Sequence, residues 1–145
     1  MRTALRSRIL NSLRQCGVRY TSQRYAILEY LLRNRIHPTA EEIHNAINQA
    51  DPRASLATVY KALHAMAKAG LIRELCFEGG AIRFEAYTDP HHHFVCERCK
   101  KIEDIGWFDV PEISQAGLVG SRAVTAYRLI MYGICEACKQ KQRNS

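Results

Sequence analysis

The pattern of apolar positions divides the chain into a helical half and a strand-rich half. Over residues 3–16, Leu5, Ile9, Leu10 and Leu13 recur at a helical period, and Gly17 follows as a C-terminal stop. Thr21 is placed to cap a second helix whose inner face is Ile27, Leu28, Leu31 and Leu32, and His37-Pro38 breaks that run. Thr39 followed three residues later by Glu42 reads as a capping box. It opens a third helix carrying Ile43 and Ile47 inward and stopping before Asp51-Pro52. Ser55 caps a fourth helix, with Leu56, Val59, Leu63 and Met66 in one buried stripe and Gly70 at its end. The other face carries Ser55, Thr58, Lys61, His64 and Lys68, with Tyr60 at the boundary. Two β-prone runs then flank Glu78-Gly79-Gly80-Ala81, a hairpin signal.

Several helices followed by a two-stranded hairpin predict a winged helix-turn-helix unit, with the Ser55 helix presented to a DNA major groove. An ordinary helical domain with a surface hairpin would show the same periodicity. Beyond Thr88-Asp89-Pro90 the period changes from 3.6 to 2. Residues 91–96 and 102–107 read as strands, Pro111 starts a short helix ended by Gly117 and Gly120, and residues 124–132 read as a longer strand. The tail, 139–145, is polar and reads as frayed. The expected class is α+β. A winged-helix domain spans residues 1–86, a hinge 87–90, and a small α/β dimerisation and metal-binding domain 91–145.

Charge sharpens this division. The 145 residues carry a net charge of +7. Residues 1–86 hold 13 Lys/Arg against 7 Asp/Glu, whereas residues 87–145 hold 8 against 7. Such asymmetry points to a polyanionic partner, double-stranded DNA first. No stretch approaches the about 20 apolar residues of a membrane span, and the basic N-terminus lacks the apolar core of a signal peptide. The expectation is a cytoplasmic protein with no membrane and no small-molecule substrate as partner.

Six cysteines in a reducing compartment suggest metal rather than disulfides. Cys96/Cys99 and Cys135/Cys138 form two C-x-x-C pairs, the spacing with which one turn grips one ion through two thiolates. Two such turns complete a closed four-thiolate zinc site of structural type. A thioredoxin-like redox motif would need a single pair in a βαβ setting, which is missing. Between the first pair and the hinge lies the run "HHHFVCERC". Alternation along a strand puts His91 and His93 on one face and His92 on the other. The His91/His93 face suits an ion taking nitrogen and oxygen ligands. Glu85, Asp89, Glu103 and Asp104 are the candidate oxygen donors, and His37 a further nitrogen. A lone histidine such as His37, His44 or His64 is by itself more often a surface or capping residue.

The stretches "RYTSQR" (19–24), "HPTAEEI" (37–43), "SLATVYKAL" (55–63), "RFE" (83–85), "HHHFVCERCKKIEDI" (91–105) and "YGICEAC" (132–138) resemble the ferric uptake regulator (Fur) family of metal-dependent bacterial repressors. The resemblance implies a homodimer that binds palindromic operators, and it makes Cys96, Cys99, Cys135 and Cys138 the structural Zn2+ ligands. It makes His37, Glu85, His91, His93 and Asp104 a regulatory site for Fe2+ or Mn2+, with Zn2+ possible, bridging the two domains. It places Arg19, Arg24, Ser55, Thr58, Tyr60 and Lys61 at the DNA. Lys61 stands where many members have Arg, and Ala62 where some have Asn. The regulatory set together with four cysteines is similar to the peroxide-responsive repressors, in which a ligand histidine, here His37 or His91, is oxidised. Those members typically carry Asp where this chain has Glu85, and iron-sensing members typically carry Glu. Iron sensors often add a histidine on the strand before the Y-G-x-C turn, where this chain has Tyr127-Arg128. The implied function is a non-enzymatic, metal-dependent repressor that senses peroxide. The alternative is an iron-sensing, or Zn- or Mn-sensing, regulator of metal uptake. Cys16, Cys76 and His92 receive no role.

Overall fold

The computed structural model describes residues 2–49, 54–114 and 120–145. The expected helix stop at Asp51-Pro52 and the one at Gly117 lie outside them. The chain forms two compact units, Met1–Thr88 and Asp89–Ser145.

The first unit contains α1 (Arg2–Gln15), α2 (Ser22–Arg33), α3 (Ala40–Ile47) and α4 (Leu56–Lys68), then β1 (Arg73–Cys76) and β2 (Ile82–Glu85). Local chemistry sets the helix starts. Thr21 accepts from the Arg24 N–H, and Ser55 from the Thr58 N–H. Thr39 and Glu42 make both halves of the capping box, at 3.2 and 3.0 Å. After α4, Gly70 takes φ +77°, and the Leu71 N–H donates back to the Met66 carbonyl at 2.9 Å, which turns the chain into the hairpin. The stripes predicted from periodicity meet in one core, built from Ile9, Leu13, Ile27, Leu31, Ile43, Val59, Leu63, Met66 and, from the hairpin, Phe84, whereas Leu10 is exposed and Leu56 only half-buried. β1 and β2 pair antiparallel. This is a helix-turn-helix followed by a wing.

The second unit contains β3 (His91–Cys96), β4 (Ile102–Gly106), α5 (Pro111–Ser114), β5 (Ile130–Gly133) and α6 (Glu136–Arg143). Its sheet order is β4-β3-β5, with β3 antiparallel to β4 and parallel to β5. Two expectations are corrected. The strand predicted over 124–132 is paired only from Ile130, because the preceding N–H, that of Leu129, donates to the ring of His92 instead of to a strand. The tail is not frayed: α6 occupies most of it, with Glu136 in its first turn and Lys141 and Arg143 in its last, complementing the helix dipole. Buried Cys138 anchors it. The buried side chains around this helix are mainly the cysteines Cys96, Cys135 and Cys138, so an ion held by those sulfurs would add to the unit's stability. No helix among the described residues is long and apolar enough to cross a membrane.

Candidate metal centres and nucleic-acid interface

Cys96 ends β3, Cys135 is the N-cap residue of α6, and Cys138 lies in the first turn of that helix. Cys99 follows Cys96 in a tight turn closed by the Lys100 N–H donating to the Cys96 carbonyl at 2.9 Å, with Lys100 at φ 64°. The sulfurs of Cys96 and Cys138 are 3.9 Å apart, and those of Cys99 and Cys135 3.7 Å. Four thiolates at about 2.3 Å around a tetrahedral zinc would stand about 3.8 Å apart. A disulfide needs about 2.05 Å. The arrangement fits a closed tetrahedral ion site. Polarisation agrees: the N–H groups of Cys99 and Cys135 donate to Cys96 Sγ at 3.5 and 3.4 Å. These bonds, that from Cys99 first, hold the Cys96 thiol down to about 6. Cys138 is pushed up to about 12, by its contact with the Cys135 sulfur and then by burial. Four crowded thiols do not all ionise unaided, and a dication supplies the missing charge.

On the same strand, His91 and His93 lie on one face, as alternation predicts. Their Nε2 atoms are 3.1 Å apart, and each faces Asp104 Oδ1, at 3.5 and 3.6 Å respectively. The β3–β4 register sets His93 directly opposite Asp104. Ligand atoms at about 2.1 Å from one ion stand about 3.0 to 3.4 Å apart, so these three donors suit a shared cation. His91 Nδ1 lies 2.7 Å from the Asp89 carbonyl. It donates there, which leaves the Nε2 lone pair aimed at the other two donors, the usual outer contact of a metal-ligating histidine. Of the other oxygen candidates, Asp89 supplies its backbone carbonyl, and the Glu103 carboxylate pairs with Lys101 at 3.0 Å.

His92 turns to the opposite face and is fully buried. Its Nε2 is 2.9 Å from the Phe108 carbonyl, and its Nδ1 accepts the Leu129 N–H at 3.1 Å. These contacts select the tautomer protonated at Nε2. The ring stacks on Trp107, with centroids 4.6 Å apart. Alternation signalled that His92 points away, but not that it ties β3 to residues 108 and 129.

In the first unit, His37 and Glu85 come together, with Nε2 and Oε2 3.5 Å apart and both residues buried. His37 holds φ 52° immediately before Pro38, a conformation that costs on the order of 1–3 kcal/mol for a residue with a Cβ. The wing offsets this cost. Arg83 donates to the His37 carbonyl at 3.0 Å, the Phe84 N–H donates to the Pro38 carbonyl at 2.9 Å, and Thr39 bridges to Arg83.

The helix expected to read DNA is α4. Ser55, Thr58, Tyr60 and Lys61 are all exposed on it. The Ser55 hydroxyl is engaged as the N-cap, and the Tyr60 hydroxyl donates to Glu41 of α3 at 2.8 Å. That bond fixes the direction of an exposed phenol, pulls the Glu41 carboxyl down after its own backbone hydrogen bond, and raises the Tyr60 phenol. Arg24 donates to the Arg19 carbonyl at 2.8 Å, so these two arginines stand together where α1 leads into α2.

Residues 15–132 match the model of the ferric uptake regulator family. The peroxide operon regulator of Bacillus subtilis (strain 168) is 40% identical over 93% of this chain and 94% of its own length. Among solved structures, the Helicobacter pylori ferric uptake regulator, described as having three functional metal-binding sites, aligns with a TM-score of 0.72 at 28% identity. It covers 92% of this chain and 90% of that one. The Streptococcus pyogenes regulator PerR, described in terms of peroxide sensing and gene regulation, aligns with a TM-score of 0.51 at 33% identity, over 90% of each chain. The family match over residues 15–132, together with 40% identity across nearly the whole of both chains, leads to one conclusion: the chain belongs to the ferric uptake regulator family.

Proposed function

We propose that the protein is a homodimeric, metal-dependent transcriptional repressor that senses peroxide. The observation that carries the reading is the convergence of His91 Nε2, His93 Nε2 and Asp104 Oδ1 on one point, with the His91 tautomer set by the Asp89 carbonyl. Identity to a peroxide operon regulator supports the choice of signal. In this reading Cys96, Cys99, Cys135 and Cys138 hold a structural zinc. His37 and Glu85 join the second unit's three donors on a single regulatory ion, so that metal selects one hinge arrangement out of several. A bound divalent iron supplies the redox chemistry toward peroxide. The histidines hold that ion through neutral nitrogens and place their own ring carbons beside the reaction. Net, one oxygen atom of hydrogen peroxide is added to the imidazole of His37 or His91, and the other leaves as water. A histidine so altered binds metal poorly, and repression is lifted.

The α4 face, with Tyr60, Thr58 and Lys61, reads a palindromic operator, while Arg19 and Arg24 contact phosphates. The exposed apolar residues of the second unit, among them Ile130 and Tyr132 of β5, are proposed to pair the two copies. The domains proposed on the sequence (1–86, hinge 87–90, 91–145) follow this division of labour. A second reading, an iron sensor of metal uptake, is favoured by Glu85, the longer carboxylate.

The test is iron-loaded protein treated with sub-stoichiometric peroxide, followed by peptide mass mapping and operator binding by fluorescence anisotropy. Addition of one oxygen to His37 or His91 together with operator release is expected. Unmodified histidines with intact operator binding would establish the iron-sensing alternative. Operator binding indifferent to metal removal would reject both.

A further inference from the structure

The β1–β2 register sets Arg73 directly opposite Glu85. On the other side of β2, the segment 37–39 is held by the Phe84 N–H and the Thr39–Arg83 bridge. Backbone pairing alone therefore lines up Arg73, Glu85 and His37. Arg73 Nη1 donates to Glu85 Oε1 at 3.2 Å, while the other carboxylate oxygen, Oε2, faces His37 Nε2 at 3.5 Å. The second amino group, Nη2, donates to the carbonyl of Thr88, the last residue of the first unit, at 2.7 Å. The side chains are 22% and 5% exposed, so water screens the pair little. Two fixed acceptors at this spacing suit the planar guanidinium fork and not a single ammonium.

We propose that Arg73 is a positioning residue: it holds Glu85 so that the carboxylate meets the regulatory ion through Oε2 alone, and thereby sets the affinity of that site. The proposal rests on Glu85 being a regulatory ligand. A glutamate side chain is long enough to chelate a divalent ion with both oxygens. A guanidinium hydrogen-bonded to Oε1 holds that oxygen in a fixed direction and prevents chelation. It also keeps a permanent positive charge one carboxylate's width from a dication, which opposes binding further. Both effects weaken the site in the same direction and keep its ion exchangeable. The contact to Thr88 ties the carboxylate's orientation to the point where the chain leaves the first unit.

The experiment is an Mn(II) titration of full-length, zinc-loaded protein against a competing chelator, with folding checked by circular dichroism. Arg73→Met keeps the length of the side chain and removes charge and donors. It is expected to tighten Mn(II) binding by about tenfold, equivalent to about 1.4 kcal/mol, and to add one oxygen to the Mn(II) coordination seen by X-ray absorption. Unchanged or weaker binding in folded Arg73→Met overturns the proposal. Should that variant not fold, the wild type decides alone: a crystal structure of the Mn(II)-loaded protein with one Glu85 oxygen on the ion supports the proposal, and one with both overturns it. Glu85→Ala separates the two levels. If it leaves Mn(II) affinity unchanged, the reading of Glu85 as a ligand fails. If it abolishes tight binding while Arg73→Met changes nothing, only the positioning role fails.

Discussion

Replacing His92 tests whether the second unit is pinned by that side chain. In His92→Ala the Leu129 N–H loses its acceptor and the Phe108 carbonyl its donor. Each net hydrogen bond contributes about 1 kcal/mol, and a donor left buried without a partner costs about 1–3 kcal/mol. The ring also contacts Trp107 and Phe108, at centroid distances of 4.6 and 4.5 Å. Aromatic pairs contribute about 0.5–1.5 kcal/mol beyond the area they bury. These terms overlap, since one void removes them all, and together they suggest a loss of about 4 kcal/mol. His92→Phe retains most of the ring volume and loses only the polar contacts, so it should cost about 2 kcal/mol.

The assay is urea unfolding of the zinc-loaded protein followed by Trp107 fluorescence. Trp107 is the single tryptophan and stacks directly on the substituted ring, so the signal reports this unit. The order wild type, His92→Phe, His92→Ala is required, with similar denaturant slopes. A His92→Phe protein within about 0.5 kcal/mol of wild type, the range of ordinary surface substitutions, would show that the two backbone contacts contribute nothing.

Three further outcomes are expected. Gly70→Ala should destabilise the first unit by about 1–2 kcal/mol through backbone strain alone, because φ is +77° and the added Cβ would meet nothing within 4 Å; circular dichroism in urea measures it. Thr39→Ala should cost about 1 kcal/mol by opening the capping box, read by the same titration. In the metal-free protein, the Cys96 thiol, held down to about 6 mainly by the Cys99 N–H, adds stability that is complete above its unfolded value of 9.0 and is lost as pH falls toward 6. Cys138, pushed up to about 12 by its contact with Cys135, acts with the opposite sign: its contribution is full below 9.0 and is lost toward 12. Trp107-detected stability of the metal-free protein should therefore peak near pH 9, and a profile falling from pH 6 to 9 would contradict the assigned hydrogen bonds.

What the sequence disclosed was the local chemistry. Thr21, Thr39 and Ser55 announce helix starts because a cap needs only the residue and an N–H two or three positions on. The two C-x-x-C pairs are legible for the same reason, and alternation alone divided His91 and His93 from His92. The misreadings are nonlocal. Helix α6 was hidden because residues 139–145 are polar on every side, and what holds the helix is one buried sulfur, Cys138. The strand over 124–132 was overlong because a side chain from another strand, His92, takes the N–H that strand pairing would use. That Asp89 gives a backbone carbonyl rather than a carboxylate depends on how the chain enters β3, which no spacing encodes.

The two metal centres share a strand, and this placement constrains how they depend on each other. β3 carries His91 and His93 toward one end and Cys96 at the other, about 10 Å apart at the usual rise from His93. Asp104 reaches the histidines only through the β3–β4 register, and the β3–β5 pairing ends at Gly133, two residues before Cys135. The geometry of the nitrogen and oxygen donors therefore rests on a sheet whose ends are held by the sulfur centre. The Cys96 thiolate, for its part, is oriented by the Cys99 and Cys135 N–H groups, at 3.5 and 3.4 Å. On the proposed assignment, an ion at the four sulfurs braces the end of the sheet on which His91, His93 and Asp104 are aligned, so its loss should weaken regulatory-ion binding as well as the fold.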